Sequence, residues 1–187
     1  MAIKVPFNVD QYYRMAQSGI LAEDDRVELI EGEVIKMSPI GVRHASCVKR
    51  LNAFFTEKLG RKVIVGVQDP ILLSTYSEPQ PDLCLLRPKA DFYADGHPSP
   101  ADVFLVVEVA DTSIGYDRDE KIPLYARAGI AEVWLIDLTQ DTFTLYAEPI
   151  RGQYRQTREV IRGGVVASTI FSELMLDVDT ILGAAQS

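Results

Sequence analysis

The stretch Phe104–Asp137, FLVVEVADTSIGYDRDEKIPLYARAGIAEVWLID, decides the fold class. With Val103 before it and Leu138 after it, the runs VFLVVEV and VWLIDL are apolar on consecutive residues, the signature of strands covered on both faces. Between them, DRDEKIPLYARAGI reads as a helix that stops at Gly129. Strand, helix and strand over this distance imply a right-handed crossover and hence an α/β fold, a central mixed β-sheet flanked by helices. Pro123 must lie in the first helical turn or mark a kink. Glu108 interrupts the first apolar run. Burying an ionised carboxylate without compensation costs several kcal/mol, so Glu108 needs either a nearby Arg or Lys, or a place where the strand end meets a cleft.

Working outward, FNVDQYYRMAQSGI reads as a short helix with Asn8 or Asp10 as N-cap and Gly19 past its end. RVELIEGEVIKMSP reads as two short strands joined at Glu31-Gly32 and ended by Pro39. From Val42 to Leu59, apolar residues fall at Cys47, Val48, Leu51, Phe54, Phe55 and Leu59. That spacing predicts one helical face, with Gly60 as the stop. KVIVGV, PILLS, DLCLL and FTLYA are further β-like runs, and Arg87–Asp102 reads as a surface loop. QYRQTREVI and VVAST continue the sheet, and ELMLDVDTILGAA closes the chain as a segment or short helix. Trp134, Tyr125 and Tyr146 sit in apolar-periodic segments and read as core. A single domain over 1–187 is expected, large enough to bury roughly 70% of its unfolded surface.

Composition bounds the function. The chain is 47% hydrophobic and 25% charged, with a formal net charge of −8, which argues against whole-surface attraction to nucleic acid or anionic membrane. No apolar run approaches the roughly 20 residues of a membrane span. MAIKVPFNVD lacks the apolar core of a signal peptide, and the two cysteines, Cys47 and Cys84, have no metal-ligand spacing. A cytoplasmic location with two inert, buried thiols is the expectation. The basic residues are unevenly spread: Arg43, Lys49, Arg50, Lys58, Arg61 and Lys62 face Glu57 alone, and Arg151, Arg155, Arg158 and Arg162 form a second group. Each is either a solvated face or a surface that contacts phosphates.

A second carboxylate changes the meaning of Glu108. In SEPQPDLCLL, Asp82 follows Pro81 at the mouth of an apolar strand, where Pro holds the entry extended. If the two strands are neighbours, Asp82 and Glu108 converge. Paired acids that repel each other are natural ligands for a hard divalent cation such as magnesium. Lys121 then supplies a mobile positive charge able to orient water or stabilise charge on a phosphate. Asp117 could pair with Lys121 at i, i+4 on an exposed face. No P-loop, GxGxxG, HExxH or GxSxG occurs, and with only His44 and His97 in the chain a histidine-based zinc site or Ser-His triad is not expected.

The ordered series VELIEGEVIKMSP, His44, SEPQPD, VVEVADTS and DRDEKIPLYARAGIAEVWLID resembles the Uma-type family of restriction-endonuclease-like proteins, within the PD-(D/E)xK nuclease superfamily. The likeness covers nearly the whole chain. It implies a restriction-endonuclease-like core with an extra N-terminal helix and hairpin and C-terminal strands. It also implies a magnesium-dependent endonuclease (manganese as substitute) hydrolysing DNA phosphodiester bonds, with no membrane partner and with homodimerisation open. The superfamily motif places a lysine two residues after the glutamate, where this chain has Ala110, so the resemblance moves that role to Lys121 on the following helix. It implies Asp82 and Glu108 as metal ligands, Lys121 as catalytic cation and Glu28 as auxiliary acid. His44 is implied in a supporting or phosphate-contacting role, against a capping or core histidine. Arg43, Lys49 and Arg50 are the candidate contacts to the DNA backbone. Three other readings stay open: an inactive DNA- or protein-binding member of the fold, a metal-dependent hydrolase of a small phosphorylated substrate, and a structural ion network. The last requires the three groups to be mutually paired with no cleft.

Overall fold

In the computed structural model, residues 3–22 and 24–184 are described; the closing segment as read from sequence runs one residue beyond them, to Ala185. Helix α1 (Val9–Gln17) opens the fold with a capping box. Asn8 Oδ1 accepts from the Gln11 N–H at 2.8 Å, and Gln11 Oε1 accepts from the Asn8 N–H at 2.9 Å. Strands β1 (Val27–Ile30) and β2 (Glu33–Lys36) pair antiparallel. Their two-residue turn has Glu31 at φ 48° and Gly32 at φ 82°, the left-handed pair that such hairpins require. Gly32 has a second reason to lack a side chain, because a Cβ there would lie 2.3 Å from Pro6 Cβ.

Helix α2 (Val42–Leu59) follows the spacing that predicted it, burying Cys47, Val48, Leu51, Phe55 and Leu59 and ending at Gly60. The central sheet has six strands in the order β3 (Ile64–Val67), β4 (Leu83–Leu86), β5 (Val103–Ala110), β6 (Glu132–Asp137), β7 (Thr142–Ile150) and β8 (Gln153–Ile161). Among the described residues, only β5 and β6 pair in parallel. This is the one pair joined by a helical crossover, since parallel neighbours cannot be linked by a hairpin. The sheet is therefore mixed, as the opening stretch predicted.

That crossover runs as α3 (Ile114–Tyr116), a π-helical turn (Asp117–Lys121) and α4 (Ile122–Ala128), with Gly129 at φ 80° closing it. Helical backbone thus begins before the DRDEK segment. Pro123 is accommodated because the wide turn comes just ahead of it: the Ile122 N–H bonds to Asp117 O across five residues, and the position after it needs no donor.

Two strand expectations are corrected. Residues 70–74, PILLS, form no strand. The N–H groups of Ile71, Leu72 and Leu73 go to three different acceptors, Pro79 O, Pro98 O and Ser77 O, and prolines on both sides cannot return the bonds of a ladder. VVAST does not continue the central sheet either. Its β9 (Val165–Ala167) pairs with β10 (Met175–Asp177) in a separate two-stranded sheet, and α5 (Val178–Leu182) follows directly.

Two apolar layers sandwich the central sheet. Alternation sends Leu83, Leu85, Leu105, Val107 and Val109 to the layer containing the α2 and α5 residues and the β9–β10 hairpin. Cys84, Leu86, Val106 and Ala110 go to the opposite layer with Ile122 and Tyr125 of α4. Glu108 shares the parity of Val106 and Ala110 and so faces the crossover helix. Among the described residues, no helix is long and apolar enough to cross a membrane.

Candidate active site

The β4–β5 register pairs Leu83 with Val107, which brings Asp82 and Glu108 to the same end of neighbouring strands. There they line a cleft of about 450 Å³, together with Glu28, His44, Asp117 and Lys121. The hairpin β1–β2 forms one wall and the start of the crossover the other. Sequence-distant acids are thus assembled by three separate elements.

Glu108 is 3% exposed and Lys121 also 3%. The Lys121 ammonium lies 2.8 Å from Glu108 Oε1 and 3.2 Å from Glu28 Oε2. Tyr125, one helical turn after Lys121, donates its hydroxyl to the same Glu108 oxygen at 2.6 Å. Residues four apart on a helix share a face, so the crossover presents both groups to Glu108 together. Glu28 Oε2 also accepts from the Gln80 N–H at 3.1 Å.

Asp82 is held differently. Its Oδ2 lies 3.0 Å from His44 Nε2 and accepts from the Val109 N–H at 2.9 Å, while Oδ1 accepts from the Gln68 side-chain amide at 3.2 Å. Burial alone would raise the Asp82 carboxyl, but the His44 and Val109 hydrogen bonds and the Lys121 charge outweigh it and hold it below the usual range. His44 feels the same contest in reverse: burial favours its neutral form, yet Asp82 wins and its pKa lies above the ordinary value. His44 is therefore the orienting partner of Asp82, and its Nδ1 is buried without a protein partner.

The rest of the cleft carries an electrostatic conflict. Five carboxyl groups, those of Glu28, Asp82, Glu108, Asp111 and Asp117, line the cleft, and its buried ammonium, that of Lys121, pairs with two of them, Glu28 and Glu108. Burial pushes Glu108 up to about 8, with Asp117, Asp82 and Glu28 adding to the effect and Lys121 opposing it. Burial likewise raises Asp117. Lys121 stays protonated, because its acidic neighbours override a burial penalty that would lower it. Asp117 does not form the exposed pair with Lys121 expected from their spacing. It is buried and accepts from Ser113 Oγ at 2.6 Å.

This donor set fits a hard divalent cation: its surplus groups are carboxyl oxygens, and the cluster holds more acids than buried cations. Among the described residues no three His, Cys, Asp or Glu groups already stand in ligand geometry. Glu108 would have to exchange Lys121 for the metal. Asp82 and Glu108 are the groups that would hold it, with Glu28 beside them.

The basic candidates lie elsewhere. Arg43 is engaged by Asp141 and Leu138 O, and Arg50 donates to Ile181 O. Neither they nor Lys49 line the cleft, whose basic rim is Arg26 and Lys36. Sequence reading missed that rim, and also Gln68, Gln80 and Tyr116. The Tyr125 contact was legible in principle from its spacing to Lys121. The structural alternative needed mutual pairing and no cleft; pairing of Lys121 with Glu108 is present, and so is a cleft.

Comparison with known proteins agrees with this architecture. Residues 9–179 match a family described as "Uma2: Putative restriction endonuclease". A solved structure, described as "a putative nuclease belonging to DUF820" from Anabaena variabilis, superimposes with a TM-score of 0.72 at 16% identity, covering 95% of this chain and 98% of the other. No curated protein matches. The family match spans residues 9–179, nearly the full length, and the chain therefore belongs to the Uma2 family of restriction-endonuclease-like proteins.

Proposed function

We propose that the chain is a magnesium-dependent endonuclease that hydrolyses DNA phosphodiester bonds at the cleft holding Glu28, Asp82, Glu108 and Lys121. The observation that carries this reading is five carboxyl groups, those of Glu28, Asp82, Glu108, Asp111 and Asp117, lining one accessible cleft whose buried ammonium, that of Lys121, pairs with only two of them. A structural ion network gains nothing from such an excess, whereas a cation site requires it. Magnesium (or manganese in its place), held by Asp82 and Glu108, would neutralise charge on the scissile phosphate and lower the pKa of the attacking water.

The chain's own groups supply the remainder. His44 and the Val109 N–H fix the orientation of Asp82. Lys121, paired here with both Glu108 and Glu28, would offer its ammonium to the phosphate and the attacking water. Arg26 and Lys36 at the rim contact the nucleic-acid backbone, with Arg43, Lys49 and Arg50 as further candidate contacts outside the cleft. Two free, buried thiols, Cys47 and Cys84, accord with a reducing cytoplasmic setting.

Nicking of supercoiled plasmid with magnesium or with EDTA tests the reading. Wild type should nick only with metal, and Asp82→Ala and Lys121→Ala should each lose about 10²–10³-fold. Nicking that survives EDTA or both substitutions would remove the site from the reaction. The net charge of −8 favours a second reading, hydrolysis of a small phosphorylated substrate. Salt separates the two, because backbone binding through Z phosphates weakens with a log–log slope of about −0.9Z, whereas a small substrate gives a shallow response.

A further inference from the structure

Strand β8 stands apart from every other strand. It forms one edge of the central sheet and bonds only to β7. It is nine residues long, and none of them is buried. The opposite edge, β3, has four residues. A long, open row of unpaired backbone donors and acceptors is a template for another strand, and β8 must either repel one or receive one.

Its sequence, Gln153-Tyr154-Arg155-Gln156-Thr157-Arg158-Glu159-Val160-Ile161, favours a particular guest. Outward-facing backbone groups of an antiparallel strand occur on alternate residues. Two copies related by a two-fold axis can therefore pair only with some residue opposite its own copy. Arg155, Arg158 or Glu159 on the axis would oppose like charges. Gln156 on the axis would set Arg155 against Thr157, Arg158 against Tyr154 and Glu159 against Gln153, leaving every charge without a partner. Thr157 on the axis overlaps all nine residues, sets Arg155 against Glu159 twice, and sets Tyr154 against Val160. It also places Ile161, 64% exposed, within the shared sheet. Centres nearer the strand ends overlap fewer residues.

The geometry points to β8 as the contact for a second copy of this chain, joined antiparallel about Thr157 into one continuous twelve-stranded sheet. None of the cleft residues belongs to β7 or β8, so this association leaves the cleft open and stands independently of the chemistry proposed for it.

Sedimentation equilibrium at low salt tests the pairing. Wild type should run as a species of twice the 20.8 kDa chain mass. Arg155→Glu and Glu159→Arg, each placing like charges opposite one another, should weaken association by at least about tenfold. The double variant Arg155→Glu/Glu159→Arg should restore it with the charges exchanged. Should a reversal unfold the chain, Glu159→Gln carries the same test through loss of both pairs. A monomeric wild type would mean that the charges guard the edge instead. A dimer indifferent to these substitutions would place the contact on another face. Either result overturns the inference.

Discussion

The two sides of the central sheet are built for different ends. Toward α2 and α5, the buried groups are apolar from Cys47 and Leu51 through Leu105, Val107 and Trp134 to Ile181, apart from Glu132, whose carboxylate accepts from the Trp134 indole N–H at 2.6 Å and the Thr169 N–H at 2.7 Å. Toward the crossover helix, a smaller apolar layer around Val106, Tyr125 and Ile130 gives way at one end to Glu108, Lys121 and Asp117, with Glu28 beside them. The first side gains from burial at its apolar residues and satisfies its one carboxylate with hydrogen bonds. The second holds charges whose desolvation its own ion pairs only partly offset. One side supplies the stability that lets the other carry strain.

That contrast can be broken most directly in the apolar layer. Phe55 is fully buried, its ring centroid 5.5 Å from that of Trp134. Phe55→Ala should cost about 3–5 kcal/mol in denaturant unfolding. A loss below about 1 kcal/mol would mean that this side does not anchor the fold.

On the charged side the expected sign is opposite. Because the folded-state pKa of Glu108 is raised to about 8 from an ordinary 4.5, the folded chain binds more protons than the unfolded chain between those values. The contribution of Glu108 is therefore fully present at low pH and lost as pH rises toward 8. In EDTA, Glu108→Gln should gain stability relative to wild type across this window, as measured by melting temperature against pH. Saturating magnesium should raise the wild-type melting temperature at pH 8 and leave Glu108→Gln nearly unmoved. A constant difference between the two proteins across the window would contradict the electrostatic account. The smallest effect belongs to Tyr125→Phe, which removes the 2.6 Å hydrogen bond to Glu108 and keeps the ring packing. It should cost about 1 kcal/mol, and a neutral result would place Tyr125 wholly with the apolar layer.

Local periodicity made much of this molecule readable in advance. The α2 spacing with Gly60, the Glu31-Gly32 turn, the Asn8 cap and the strand–helix–strand of the crossover are set by residues within a turn or two of one another, so the chain declares them directly. The individual acids were equally visible, since a carboxylate inside an apolar run is anomalous wherever the strand is placed. Long-range pairing was not legible. PILLS looks like a strand until its donors find three separate acceptors, and VVAST looks like sheet continuation until β10 claims it.

The sequence by itself determined which elements form and which side chains are too polar to be buried without reason. Only the tertiary structure decided that Lys121 stands between Glu28 and Glu108, that Asp82 belongs to His44, and that Arg43 is engaged by Asp141 outside the cleft. All but the Lys121–Glu108 contact join residues tens of positions apart. Their partners are chosen by strand register and crossover packing, which no local pattern records.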